Sequence, residues 1–88
     1  MISERDRNII LSYAKKYQLA KVILFGSAKD KSDAKDIDLG IRGIKPELFF
    51  EFCWQVYRDV SKPVDIIDLE TDSLFTRLIE KDGLVLYG

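Results

Sequence analysis

From Asp36 to Arg42 the chain alternates polar or small and apolar residues without a break: Asp-Ile-Asp-Leu-Gly-Ile-Arg. Successive side chains of a β-strand point to opposite faces, so Ile37, Leu39 and Ile41 share one face and Asp36, Asp38, Gly40 and Arg42 the other. The apolar face has to be covered by another layer. The polar face then carries two carboxylates side by side, in an element from which aspartate is depleted. A buried carboxylate loses several kcal/mol of hydration unless it is paired or binds a cation. A second run of this kind, Val64-Asp65-Ile66-Ile67-Asp68-Leu69, follows Pro63. Its Asp65 and Asp68 fall on opposite faces of a strand, which makes Asp68 a surface or capping residue.

The rest of the chain supplies the covering layer. Ser3 and Asp6 open a helix whose apolar residues Ile9, Ile10, Tyr13, Ala14 and Tyr17 recur at helical spacing. Lys21-Val22-Ile23-Leu24-Phe25 reads as a buried strand, stopped by a tight turn at Gly26 and Ser27. Ala28 to Lys35 is polar and reads as a loop with room for one helical turn at its start; its Asp30 and Asp33 are solvated charges. Pro46 fits the first helical position of a second helix, with an apolar stripe of Leu48, Phe49, Phe52, Cys53, Val56, Tyr57 and Val60. Five aromatic residues between Phe49 and Tyr57 are too many for one stripe. Phe49, Phe52 and Tyr57 are assigned to the core, and Phe50 or Trp54 to the surface, where an exposed apolar patch marks a partner. Thr71, Asp72 or Ser73 caps a last helix carrying Leu74, Phe75, Leu78 and Ile79. Gly83 ends it, and Leu84–Tyr87 is a closing strand or tail. The expectation is an α/β (α+β) fold, a small mixed β-sheet with helices packed on it, as a single domain over residues 1–88.

Composition narrows the chemistry. Eighty-eight residues allow one hydrophobic core, so a substrate-recognition module has to come from another chain, and association with a partner or as a homo-oligomer is expected of so small a domain. A net charge of −1, from 14 basic and 15 acidic residues, gives no field that attracts nucleic acid. With no His and one Cys there is no disulfide framework, no Cys/His zinc site and no imidazole base. Cys53, set in a helical stripe, is a core residue rather than a nucleophile. No apolar run reaches the ~20 residues of a membrane span, and the expected location is the cytoplasm. Any catalysis falls to carboxylates and hydroxyls.

Asp36 and Asp38 point the same way, and their oxygens suit a hard cation such as Mg²⁺. Asp65, on a strand that fits beside theirs, completes a set able to hold one or two divalent ions. The Gly26-Ser27 turn after a buried strand offers backbone N–H groups and a hydroxyl to a phosphate, although Ser27 is equally suited to cap a helix. The competing reading places Asp36 and Asp38 at an exposed strand end, bridged to Lys35 or Arg42.

Phe25-Gly26-Ser27, Asp36-Ile37-Asp38-Leu39 and Val64-Asp65 together resemble the Gly-Ser, Asp-x-Asp, Asp signature of the DNA-polymerase-β-like nucleotidyltransferases. Within them the chain looks like the minimal nucleotidyltransferases, the MntA-type antitoxins of HEPN/MNT systems, and its ending from Arg77 to Gly88 is similar as well. The resemblance implies a polymerase-β-like core in which Asp36, Asp38 and Asp65 are catalytic and bind two Mg²⁺ ions. Gly26 and Ser27 hold the phosphates of ATP. The implied reaction moves AMP from ATP to a hydroxyl of a HEPN-type toxin. The loop between Ser27 and Asp36 is shorter than the family's, and its cations are Lys29, Lys31 and Lys35. That shortening favours an alternative, a non-catalytic antitoxin that neutralises its partner by binding alone.

Overall fold

A computed structural model of the chain describes residues 2–31 and 33–88; Met1 of the polar N-terminus and Ser32 of the expected loop lie outside the described residues. The elements run α1 (Glu4–Lys16), β1 (Lys21–Phe25), a 3₁₀ turn (Ser27–Lys29), β2 (Ile37–Arg42), a second 3₁₀ turn (Pro46–Leu48), α2 (Phe49–Asp59), β3 (Val64–Asp68), α3 (Leu74–Asp82) and β4 (Leu84–Tyr87). The sheet order is β3-β2-β1-β4. β1 runs antiparallel to both β2 and β4, and β2 runs parallel to β3, so the sheet is mixed as expected.

Two crossings decide which face each helix covers. The parallel pair β2 and β3 is joined through α2, which packs beside α1 on one face. From β3 at one edge, the chain must then cross the sheet to reach β4 at the other, and α3 makes that crossing on the opposite face. On the α1/α2 face, Val22, Leu24, Ile37, Leu39 and Ile41 meet Ile10, Ala14, Phe52 and Val56 in the main core. A second, smaller core of Ile23, Leu69 and Ile79 lies under α3. Gly40, on the polar face of β2, belongs to this small core by shape. A Cβ there would lie 3.0 Å from a Leu69 methyl and 3.1 Å from one of Ile79, so a side chain would push α3 off the sheet.

Local chemistry fixes the ends. The Ser3 hydroxyl accepts from the Asp6 N–H at 3.1 Å and opens α1. The Asp6 carboxylate itself is buried and accepts from Ser61 N–H at 3.0 Å and from its hydroxyl at 2.5 Å, which ties the first turn of α1 to the loop before β3. Ser73 caps α3, exchanging hydrogen bonds with Thr76 in a capping box. Gly83 ends α3, and Leu84–Tyr87 is a strand.

Three expectations change. Asp36 precedes β2 rather than opening it. Pro46 starts a 3₁₀ turn, and α2 begins only at Phe49. Tyr57, assigned to the core, is 61% exposed, together with Phe50 and Trp54. Phe52 and Val56 point at the sheet, whereas Tyr57 lies over its edge, where β3 has no further strand to support a layer. Phe50, Trp54 and Tyr57 instead wall a groove of about 350 Å³ with Cys53, Val64 and Ile66. Among the described residues no helix is long and apolar enough to cross a membrane.

Candidate functional site

The register of the sheet brings the sequence motifs into one row. Phe25, the last residue of β1, is opposite Asp38 of β2, and Asp38 is opposite Asp65 of β3. Since Ile37, Leu39 and Ile41 face the main core, Asp38 faces the other side, which α3 covers only in part. Asp38 is half-buried, while Gly26, Ser27, Asp36 and Asp65 are exposed.

Gly26 couples the turn to the carboxylate. Its φ of 72° is a conformation that side chains disfavour, and a Cβ on it would lie 2.2 Å from Oδ2 of Asp38. The Asp38 carboxylate therefore rests directly against the turn. Ser27 opens the 3₁₀ turn, whose amides at Lys29, Asp30 and Lys31 bond back to the carbonyls of Gly26 and Ser27.

The electrostatics are those of crowded anions. Burial, then the negative charges of Asp65 and Asp36, raise the Asp38 carboxyl above the usual carboxylate range. The bridge to Arg42 is not made. Its guanidinium is taken up by Glu80 at 3.1 Å, Glu70 at 3.5 Å and the Leu69 carbonyl at 3.0 Å, locking α3 and the end of β3 onto β2. Lys29 donates to the Asp82 carbonyl at 2.6 Å and so joins the turn to the end of α3.

An all-oxygen donor set with mutual repulsion suits a hard divalent cation. Asp36, Asp38 and Asp65 are coupled electrostatically but are not gathered round one point. Among the described residues no three His, Cys, Asp or Glu side chains form a group able to hold a metal ion.

The remaining assignments resolve simply. Asp68 accepts from the Glu70 N–H at 3.0 Å, the capping role expected of it. Burial pushes the Cys53 thiol up to about 11, which removes it as a nucleophile at neutral pH. Sequence reasoning missed Phe75, whose ring packs edge-to-face on Phe25, with centroids 5.8 Å apart, beside the Gly26 turn. The available signal was the parity of Phe25, which shares Ile23's side of β1 and hence the face of Asp38.

The strand that ends at the Gly-Ser turn thus lies beside the strand of Asp38, with Asp65 on the next strand over. Residues 8–88 match the family of polymerase beta nucleotidyltransferases, and the chain belongs to it. Solved toxin–antitoxin structures share the fold. A chain of the MntA–HepT complex is 20% identical at a TM-score of 0.73, with 98% of this chain and 73% of that one covered. A chain of a toxin–antitoxin structure with AMP-PNP is 21% identical at a TM-score of 0.75, covering 93% and 73%. A third is from a tri-AMPylated HEPN toxin of Shewanella oneidensis in complex with an MNT antitoxin, 21% identical at a TM-score of 0.72, covering 94% and 70%. No curated protein matches the chain.

Proposed function

We propose that this chain is a minimal nucleotidyltransferase that transfers AMP from ATP to a hydroxyl of a HEPN-type partner protein and neutralises it. The observation that carries the reading is the close approach of Gly26 to Asp38, which sets the Gly-Ser turn directly against the central carboxylate of the row. The tri-AMPylated toxin bound to an MNT antitoxin and the structure with AMP-PNP support the choice of nucleotide and acceptor.

In this reading the amides and hydroxyl of Gly26-Ser27 hold the β- and γ-phosphates. Asp38, with Asp36 and Asp65 drawn in beside it, would hold Mg²⁺, which when bound would offset phosphate charge and lower the pKa of the acceptor hydroxyl. The acceptor oxygen attacks the α-phosphorus, and the bond to the β-phosphate oxygen breaks. Pyrophosphate leaves with the electron pair, and Asp65, the exposed carboxylate of the row, receives the hydroxyl proton. The test is calorimetric titration of ATP with and without Mg²⁺ into the protein and its Asp36→Ala, Asp38→Ala double variant. Mass spectrometry of a HEPN-type partner incubated with ATP follows. Metal-dependent binding lost in the variant, and addition of AMP to the partner, are the expected results; ATP binding indifferent to Mg²⁺ and to both aspartates would sink the reading.

A second reading is neutralisation by binding alone. It is favoured by the absence of a converged carboxylate trio among the described residues and by the aromatic groove of Phe50, Trp54 and Tyr57 on the other face. A double variant that still neutralises the partner selects it.

A further inference from the structure

We infer that the pocket between the Gly26 turn and α3 receives the nucleobase of the triphosphate, with Phe75 as the ring on which the base stacks. The inference rests on the proposed function and adds the substrate's second anchor.

The pocket, about 250 Å³, has Gly26 in its wall, so it is continuous with the turn assigned to the phosphates. A nucleotide held there by its phosphates needs its remaining, planar part placed on a surface within reach. The rest of the lining is mostly apolar, from Phe25, Phe75, Leu78, Ile79 and Gly83, with Lys29, Asp30 and Asp82 as its charged members. Phe75 is 53% exposed and lies beside Leu78 in the lining, so the ring is open to a ligand. Its geometry fits a platform. Phe25 meets Phe75 edge-to-face at an interplanar angle of 83°, fixing the ring while leaving face area open.

The walls are also tied together before any ligand arrives. The Lys29 ammonium bonds the Asp82 carbonyl, the capping box sets the first turn of α3, and Ile79 anchors the helix in the small core. A preformed apolar slot loses less on binding than a flexible one. Stacking needs no hydrogen-bond readout, because every base presents a π-face. Purines, with the larger face, should bind more tightly than pyrimidines. The α2 groove cannot take this role, since Val64 and Ile66 place it on the opposite side of the sheet from Asp38 and Asp65.

The experiment compares ATP with inorganic tripolyphosphate, both with Mg²⁺, in titrations of the full chain and of Phe75→Ala, Phe75→Trp and Leu74→Ala. Leu74, 76% exposed on the same helix, does not line the pocket. Phe75→Ala should weaken ATP roughly ten-fold or more while leaving tripolyphosphate unchanged. Phe75→Trp should match or exceed the parent, and Leu74→Ala should behave as the parent with both ligands. Unchanged ATP affinity in Phe75→Ala, or an equal loss of tripolyphosphate, overturns the base pocket while the phosphate site stands. If neither ligand binds the parent chain, the phosphate site fails and the base pocket with it. If Phe75→Ala keeps ATP but loses a HEPN-type partner, the ring belongs to a protein interface and the inference is wrong.

Discussion

Ile37, Leu39 and Ile41 are sealed under α1 and α2, whereas Asp38 and Arg42, their neighbours in the same strand, stay half-exposed beside one short helix. The two faces of β2 are built to different rules. On the helical face every side chain is apolar and close-packed, and shape decides. On the other face Gly40 is small so that α3 can approach, Arg42 is consumed in holding α3 and the end of β3, and Asp38 is crowded by two like charges. One face contributes stability. The other gives part of it up to keep anions together.

Substitutions can break this comparison. The largest expected effect is Leu39→Ala, which opens a cavity in the main core and should cost roughly 3 kcal/mol in urea unfolding, a large share of the stability of a small domain. Asp6→Ala comes next at about 2 kcal/mol by the same measurement, because it removes the buried carboxylate that accepts both the N–H and the hydroxyl of Ser61. Asp6→Asn should recover part of that.

Asp38→Asn should move stability by less than about 1 kcal/mol, and upward, since it relieves repulsion. It should nevertheless abolish Mg²⁺-dependent ATP binding. A carboxyl with a raised folded-state pKa holds its proton more tightly when folded. Its contribution is full below the unfolded carboxylate pKa and is lost as pH rises through the raised value. Thermal melts of the metal-free protein across that window should therefore lose this pH-dependent component in Asp38→Asn. If Asp38→Asn instead unfolds the chain, the polar face is structural and the contrast collapses. The smallest effect sharpens it: Trp54→Ser, which removes an exposed ring stacked 5.0 Å from Arg58, should change stability by about 0.5 kcal/mol. It should weaken partner binding if the α2 groove is an interface.

What could be read from the sequence follows the same division. The alternation in β2 named its core face and its acidic face because strand periodicity is short and local. Strand 21–25, the run 64–69 whose strand ends one residue early at Asp68, the cap at Ser3, and the end of α3 at Gly83 were equally local, while the cap of α3 was narrowed to Thr71, Asp72 or Ser73, of which Ser73 is the one used. Tyr57 was misplaced because a stripe on α2 shows which residues share a side but not where the sheet stops. Asp6 to Ser61 and Arg42 to Glu80 join distant parts of the chain, and nothing in their spacing announces them. The side of β2 that carries Asp38 and a neighbouring strand for Asp65 were legible, whereas Asp36, read as part of that strand, lies just before it. The separation of the three carboxylates depends on backbone positions that residue spacing does not encode.

The crossing of α3 from β3 to β4 has a consequence for how the protein comes into being. Val22 of β1 pairs with Tyr87 of β4, so the sheet is complete only when β4 reaches back to a strand that lies far before it in the sequence. A ribosome that has released residues up to Asp68 has already made the Gly26 turn and all three carboxylates. It has not yet made α3, which lays down the small core beneath them, or the strand that pairs with β1. Nascent chains are thus born with the acidic motif in hand and no floor under it, and such long-range pairing is the slow step of folding.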